Sequence, residues 1–166
     1  LVSGLGGYSQ PESRLTSQIG AALFGIPAIK GVEFGLGFGA AELVGSRVHD
    51  AIELDRGRGF TRSSNRAGGL EGGMTTGLPL IVTCAMKPIP TLGHALGTID
   101  LDTLEPTEAS RERSDVCAVP AAAVVAEAQV AFVLANAYLD KFGRDDMRDI
   151  RPAIKAYRQR IRTMSR

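Results

Sequence analysis

"SNRAGGLEGGMTTG", residues Ser64–Gly77, places five glycines, at 68, 69, 72, 73 and 77, in fourteen positions. Glycine loses more backbone freedom on folding than any other residue and brings no side chain to pack. Such a run marks main chain that bends where no Cβ fits, or main chain that something approaches closely. Upstream, "IKGVEFGLGFG" (Ile29–Gly39) predicts a strand entering a glycine-rich bend. Downstream, "LPLIVTCAMKPIPT" predicts a strand over Leu80–Met86. It stops at Pro88 and Pro90, because proline has no N–H to give to a central ladder.

Farther out the pattern turns helical. In "PESRLTSQIGAALFG", Leu15, Ile19, Ala22 and Leu23 fall on one helical face, and Gly25 and Pro27 end the segment. "AELVGSRVHDAIE" predicts a short helix, "RGRGFTRSS" a turn with a strand at its end, and "HALGTIDLDT" a strand. "VPAAAVVAEAQVAFVLANAYLDKFG" predicts a long helix with Pro120 in its first turn and Gly143 at its end. It is apolar nearly all round, so it is expected to be buried in protein. Glu127, Gln129 and Asn136 argue against a membrane span. "DDMRDIRPAIKAYRQRIRTMSR" predicts a last basic helix whose Lys155, Arg158, Arg160, Arg162 and Arg166 form a solvated face. Helices and strands interleave without a regular βαβ rhythm, so the class is α+β.

The totals suit one domain: 166 residues, 44% hydrophobic and 22% charged. A net charge of +1 gives no reason to expect a nucleic-acid partner. Cys84 and Cys117 read as small buried apolar side chains, and with only His49 and His94 available a structural zinc site is not expected. There is no signal-peptide pattern, which makes a cytoplasmic setting the default. The sequence opens at Leu1 inside a glycine-rich segment, as the interior of a longer polypeptide would.

Three segments could carry chemistry. "GLGFGA" (Gly35–Ala40) fits a dinucleotide fingerprint, but the strand before it holds Glu33, where such a unit needs a continuous apolar run. "MKPIPT" (Met86–Thr91) is a strand end followed by a proline-stiffened loop, either a ligand clamp or an ordinary loop with an exposed lysine. "RSDVC" (Arg113–Cys117) precedes the long helix; its arginine suits a phosphate or carboxylate, and Asp115 is a helix cap or a proton-handling group. His49 and His94 carry no catalytic pattern.

Together, "IPAIKGVEFG", "SNRAGGLEGGMTTG", "AMKPIPT" and "RSDVCAVPAAAVVAEA", in this order and spacing, closely resemble the C-terminal half of chorismate synthases. The likeness runs from about Gly4 to Ile161. It implies a β-α-β sandwich, with an antiparallel sheet packed on long buried helices, and assembly as a homotetramer. It implies 1,4-anti elimination of phosphate from 5-enolpyruvylshikimate 3-phosphate to give chorismate, with reduced FMN, and with NADPH where the same protein reduces the flavin. Carried over residue by residue, the flavin contacts are Pro27, Ala28, Gly72, Lys87, Pro88, Ile89, Pro90, Thr91 and Arg113, and Asp115 handles a proton. Residues 1–142 would line the flavin site and 143–166 would add the basic helix.

The departures are also specific. The family's Gly-Glu-Ser-His-Gly motif and its two catalytic histidines belong to its N-terminal half and are not in this sequence. The resemblance thus implies a fragment, inactive by itself. Leu36 stands where an acidic residue is common, Thr76 stands where asparagine is common, and "SQPES" replaces the usual approach to the first helix. A truncated, non-catalytic paralogue that binds a partner is the alternative.

Overall fold

The computed structural model describes residues 1–55, 59–90, 93–110 and 117–163. Helix α1 (Leu15–Phe24) is built on the predicted stripe: Leu15, Ile19 and Leu23 are 0%, 0% and 1% exposed. Burying each such side chain contributes about 1.5–3 kcal/mol. Gly25 closes the helix, its N–H donating to Ala21 O at 3.1 Å. The chain then turns into strand β1 (Ile29–Phe34).

Strands β2 (Ile52–Asp55) and β3 (Gly59–Arg62) form an antiparallel hairpin, and β4 (Leu70–Glu71) and β5 (Met74–Thr75) form a tight one. Strand β6 (Val82–Met86) returns antiparallel to β1, with Ile29 opposite Met86 and Phe34 opposite Val82. Strands β7 (Gly97–Ile99) and β8 (Pro106–Glu108) make a separate hairpin. Helices α2 (Val119–Phe142) and α3 (Met147–Thr163) complete the α+β fold.

The core gathers Val2, Leu5, Ile26, Ile29, Leu70 and Ala137 around the α1 stripe. The N-terminal segment is locked in by the buried Thr75, whose hydroxyl donates to Val2 O at 2.5 Å and accepts from Leu5 N–H at 2.9 Å. Tyr157 O–H donates to Ser3 O at 3.0 Å, which ties the same segment to α3.

Three expectations meet a different outcome. Residues 41–53 form no α-helix. Short 3-10 turns at Gly37–Glu42 and Gly45–Arg47 lead into β2, because Asp50 is drawn across to the 64–67 segment instead of continuing a helical stripe. "HALGTIDLDT" is not one strand: the chain reverses after Ile99, where Asp100 Oδ1 accepts the N–H groups of Asp102 and Thr103 at 2.9 Å each. Helix α2 packs on α1 and, at its C-terminal end, on α3 through Phe142 and Tyr157, while Val124 and Phe132 are 68% and 70% exposed. The described residues leave that part of its surface uncovered. By length and composition α2 could also cross a membrane.

The dinucleotide reading of "GLGFGA" does not survive. β1 pairs antiparallel, and the Glu33 carboxylate accepts the Phe38 N–H at 2.8 Å, inside the turn that would have to receive a phosphate.

Candidate functional site

The pairing of β1 with β6 fixes what lies at the end of the sheet. With Ile29 opposite Met86, the residues just outside the pair are Ala28 and Lys87, and the Lys87 N–H donates to Ala28 O at 2.7 Å. Pro27 and Ala28 occupy the turn between α1 and β1, closed by Ile29 N–H on Ile26 O at 3.3 Å. Ala28 has φ +67°, one of two non-glycine residues with positive φ among those described. A left-handed alanine costs about 1–2 kcal/mol and persists where its surroundings over-determine it. Pro27, Lys87, Pro88 and Pro90 are exposed, and Ile89 is half-buried. The corner therefore offers flat apolar side chains, a cation and main chain that is already ordered.

Beside the corner, the β1–β6 face and α2 enclose an apolar groove of about 610 Å³, walled by Ile29, Val82, Cys84, Met86, Val130 and Leu134. Glu127 is the acidic side chain on its wall. Burial pushes the Cys84 thiol up, so it is an inert apolar contact at neutral pH. Cys117, read as a small buried apolar side chain, is exposed instead.

Gly72 lies elsewhere. Gly72 and Gly73 form the β4–β5 turn with φ +57° and +80°, the mirror-image turn that suits a tight hairpin. Gly73 O accepts the Leu15 N–H at 2.8 Å, which sets this turn at the N-terminal end of α1. Pro27 and Ala28 follow its C-terminal end, and ten helical residues span about 15 Å. A Cβ on Gly72 would meet the Tyr8 ring, and Arg14 lies over that ring at 5.9 Å. The structure thus brings Pro27, Ala28 and Lys87–Pro90 together and sets Gly72 at the opposite end of α1. Thr91, Arg113 and Asp115 fall outside the described residues.

The glycine-rich segment is packed against this chain's own backbone. A Cβ on Gly68, at φ +64°, would overlap the main chain of Gly35 and of Ile81. The Gly35 N–H and Ile81 N–H donate to Ile81 O and Gly68 O at 3.1 and 3.0 Å, so three strands of main chain meet there. Sequence reasoning missed the group that holds this junction. Burial acts to raise the Asp50 carboxyl, but the Ser64 hydroxyl and the Ala67 and Arg66 N–H groups together hold it below the ordinary aspartate range. Those bonds are 2.5 Å from Ser64 and 2.9 Å from each amide. Next to it, Arg62 pairs with both oxygens of Glu71, at 3.0 and 2.9 Å. His49 is exposed on the rim of a 330 Å³ depression that also holds Asp50 and Arg66. Among the described residues no group of His, Cys, Asp and Glu could hold a metal ion.

A family profile described as chorismate synthase matches residues 1–139. The chain belongs to the chorismate synthase family. It is 57% identical over 157 residues to the chorismate synthase of Moorella thermoacetica, covering 95% of this chain and 41% of that protein. It is 53% identical over 156 residues to that of Bacillus subtilis, covering 94% and 40%. A crystal structure of a chorismate synthase superposes with a TM-score of 0.80 at 42% identity, over 97% of this chain and 41% of the other. The chain thus spans about 41% of the length of the chorismate synthases it matches. The matched profile takes in the Ala28–Lys87 corner, the glycine hairpin and most of α2, and it ends before α3.

Proposed function

We propose that this chain supplies the C-terminal, flavin-binding wall of a chorismate synthase. The complete enzyme is a lyase of aromatic amino acid biosynthesis that eliminates phosphate in the 1,4-anti sense from 5-enolpyruvylshikimate 3-phosphate to give chorismate. It works as a cytoplasmic homotetramer. Reduced FMN held at this wall would supply a transient electron and help in proton removal, and NADPH would be needed only where the same protein reduces the flavin.

The Lys87–Ala28 hydrogen bond carries this reading, because it unites two motifs that lie about sixty residues apart in the sequence. The residues at the corner fit the cofactor: prolines and Ile89 offer a flat apolar surface, and Lys87 offers a cation to an anionic group. Pro27, Ala28, Lys87, Pro88, Ile89 and Pro90 bind and orient the flavin from this corner. Thr91 and Arg113 extend the contact, Arg113 by a bidentate fork, and Asp115 holds a proton at its carboxylate. Gly72 contributes from the far end of α1, as bare main chain. The 166 residues alone turn over no substrate, because a positioned proton donor is worth orders of magnitude in rate and the family's histidines are not in this sequence.

Titration of the chain with FMN, followed by flavin fluorescence with and without the phosphorylated substrate, tests the proposal. Saturable binding that Lys87→Ala weakens about tenfold supports it. Binding that ignores Lys87, or turnover by the chain alone at a normal rate, contradicts it.

A further inference from the structure

The net charge of +1 conceals a strong segregation of charge. Between Gly97 and Glu108 stand Asp100, Asp102, Glu105 and Glu108, with no lysine or arginine. Between Met147 and Thr163 stand six cations against the single carboxylate of Asp149. Each set belongs to one element, the β7–β8 hairpin and α3.

The hairpin is an arm. Every residue from Leu96 to Glu108 is exposed, with Leu101 at 88% and Leu104 at 74%. An isolated two-stranded hairpin is at best marginally stable in water, so an ordered one with bare leucines has a surface to lie on. α3 has the complementary character. Arg151, Lys155 and Arg158 recur at helical spacing on one exposed stripe, with Ile154 half-buried beside them. Their stems supply apolar contact and their heads supply charge. Two further cations are engaged within the chain: Arg148 pairs with Asp146, and Arg160 lies over the Tyr157 ring at 5.1 Å.

We propose that the β7–β8 arm of one copy docks on the Arg151–Lys155–Arg158 stripe of α3 in a second copy of this chain. Asp102 and Glu105 face the cations, and Leu101 and Leu104 cover Ile154 and the aliphatic stems. Charge complementarity selects the partner and its register. The inference rests on the homo-assembly in the reading above but not on its flavin chemistry.

An equal mixture of ¹⁵N-labelled and unlabelled 166-residue chains, treated with a zero-length carbodiimide cross-linker, reads the contact directly. Peptides of mixed isotope composition joining Lys155 to Asp102 or Glu105 are expected. The variant Arg151→Glu/Lys155→Glu/Arg158→Glu weakens association about tenfold or more in sedimentation, and adding Asp102→Lys/Glu105→Lys to it restores association. Circular dichroism confirms that each variant is folded, and association of the unmodified chain falls as salt rises. Cross-links confined to single-isotope peptides assign the arm to its own α3 and overturn the proposal. Association without these cross-links, or a chain that stays monomeric, overturns this contact; the homotetramer of the complete enzyme is tested apart from it, by sedimentation of the full-length protein.

Discussion

The main-chain N–H of Lys87 donates to the carbonyl of Ala28 across 2.7 Å, and Ala28 makes that bond from a left-handed conformation with φ +67°. An alanine there is tolerated, but a β-branched side chain is not. Ala28→Val is expected to lower stability by about 1–2 kcal/mol. Ala28→Gly stays within about 0.5 kcal/mol, because relief of the left-handed cost offsets the added freedom of the unfolded chain. Urea unfolding of the two variants checks this, and equal stability would remove the strain argument.

Two glycine substitutions separate close approach from ordinary helix propensity. Gly68→Ala puts a Cβ into the main chain of Gly35 and Ile81, at a residue whose φ is +64°. A loss of about 2–4 kcal/mol is expected, from strain and overpacking together. Gly20→Ala, in α1, meets nothing within 4 Å and gains about 1 kcal/mol of helix propensity. Thermal unfolding should move in opposite directions for the pair.

Thr75 is 3% exposed and serves Val2 and Leu5 through one hydroxyl. Thr75→Val keeps the shape and strands a buried carbonyl and a buried amide, at a cost of about 2–4 kcal/mol. Proteolysis should then reach the 1–7 segment first, detected by mass spectrometry of early fragments. Cleavage starting elsewhere would mean that the N-terminal segment is held by other contacts.

Asp50 links stability to pH. Its carboxyl is held below its ordinary value by the bonds from Ser64, Ala67 and Arg66, against the opposing effect of burial. A depressed folded pKa gives stability that is complete above the unfolded value, near 3.8, and lost as pH falls through the folded one. The urea midpoint of the unmodified chain should therefore drop more steeply below about pH 4 than that of Asp50→Asn. Parallel curves would exclude Asp50 as a source of the acid dependence.

What can be read from the sequence depends on whether a signal is local. The α1 stripe is legible because Leu15, Ile19 and Leu23 repeat at helical spacing and all three are buried. The end of β6 is legible because Pro88 cannot extend a ladder. The corner formed by Ala28 and Lys87 is reached through motif resemblance, since nothing local says that two distant segments pair. Asp50 escapes for the same reason: its partners Ser64, Arg66 and Ala67 lie fourteen or more residues away. The apolar surround of α2 marks a helix that wants cover on every side, but the described residues leave Val124 and Phe132 exposed. Three of the residues named for the site, Thr91, Arg113 and Asp115, lie outside the described segments.

A chimera tests the central claim most directly: this chain in place of the matching segment of the Moorella thermoacetica chorismate synthase, assayed for chorismate formation with reduced FMN. Turnover by the chimera, with Lys87→Ala raising the FMN requirement about tenfold, is the predicted result. A folded chimera that binds no flavin and forms no chorismate would contradict the assignment of the Ala28–Lys87 corner to the cofactor site.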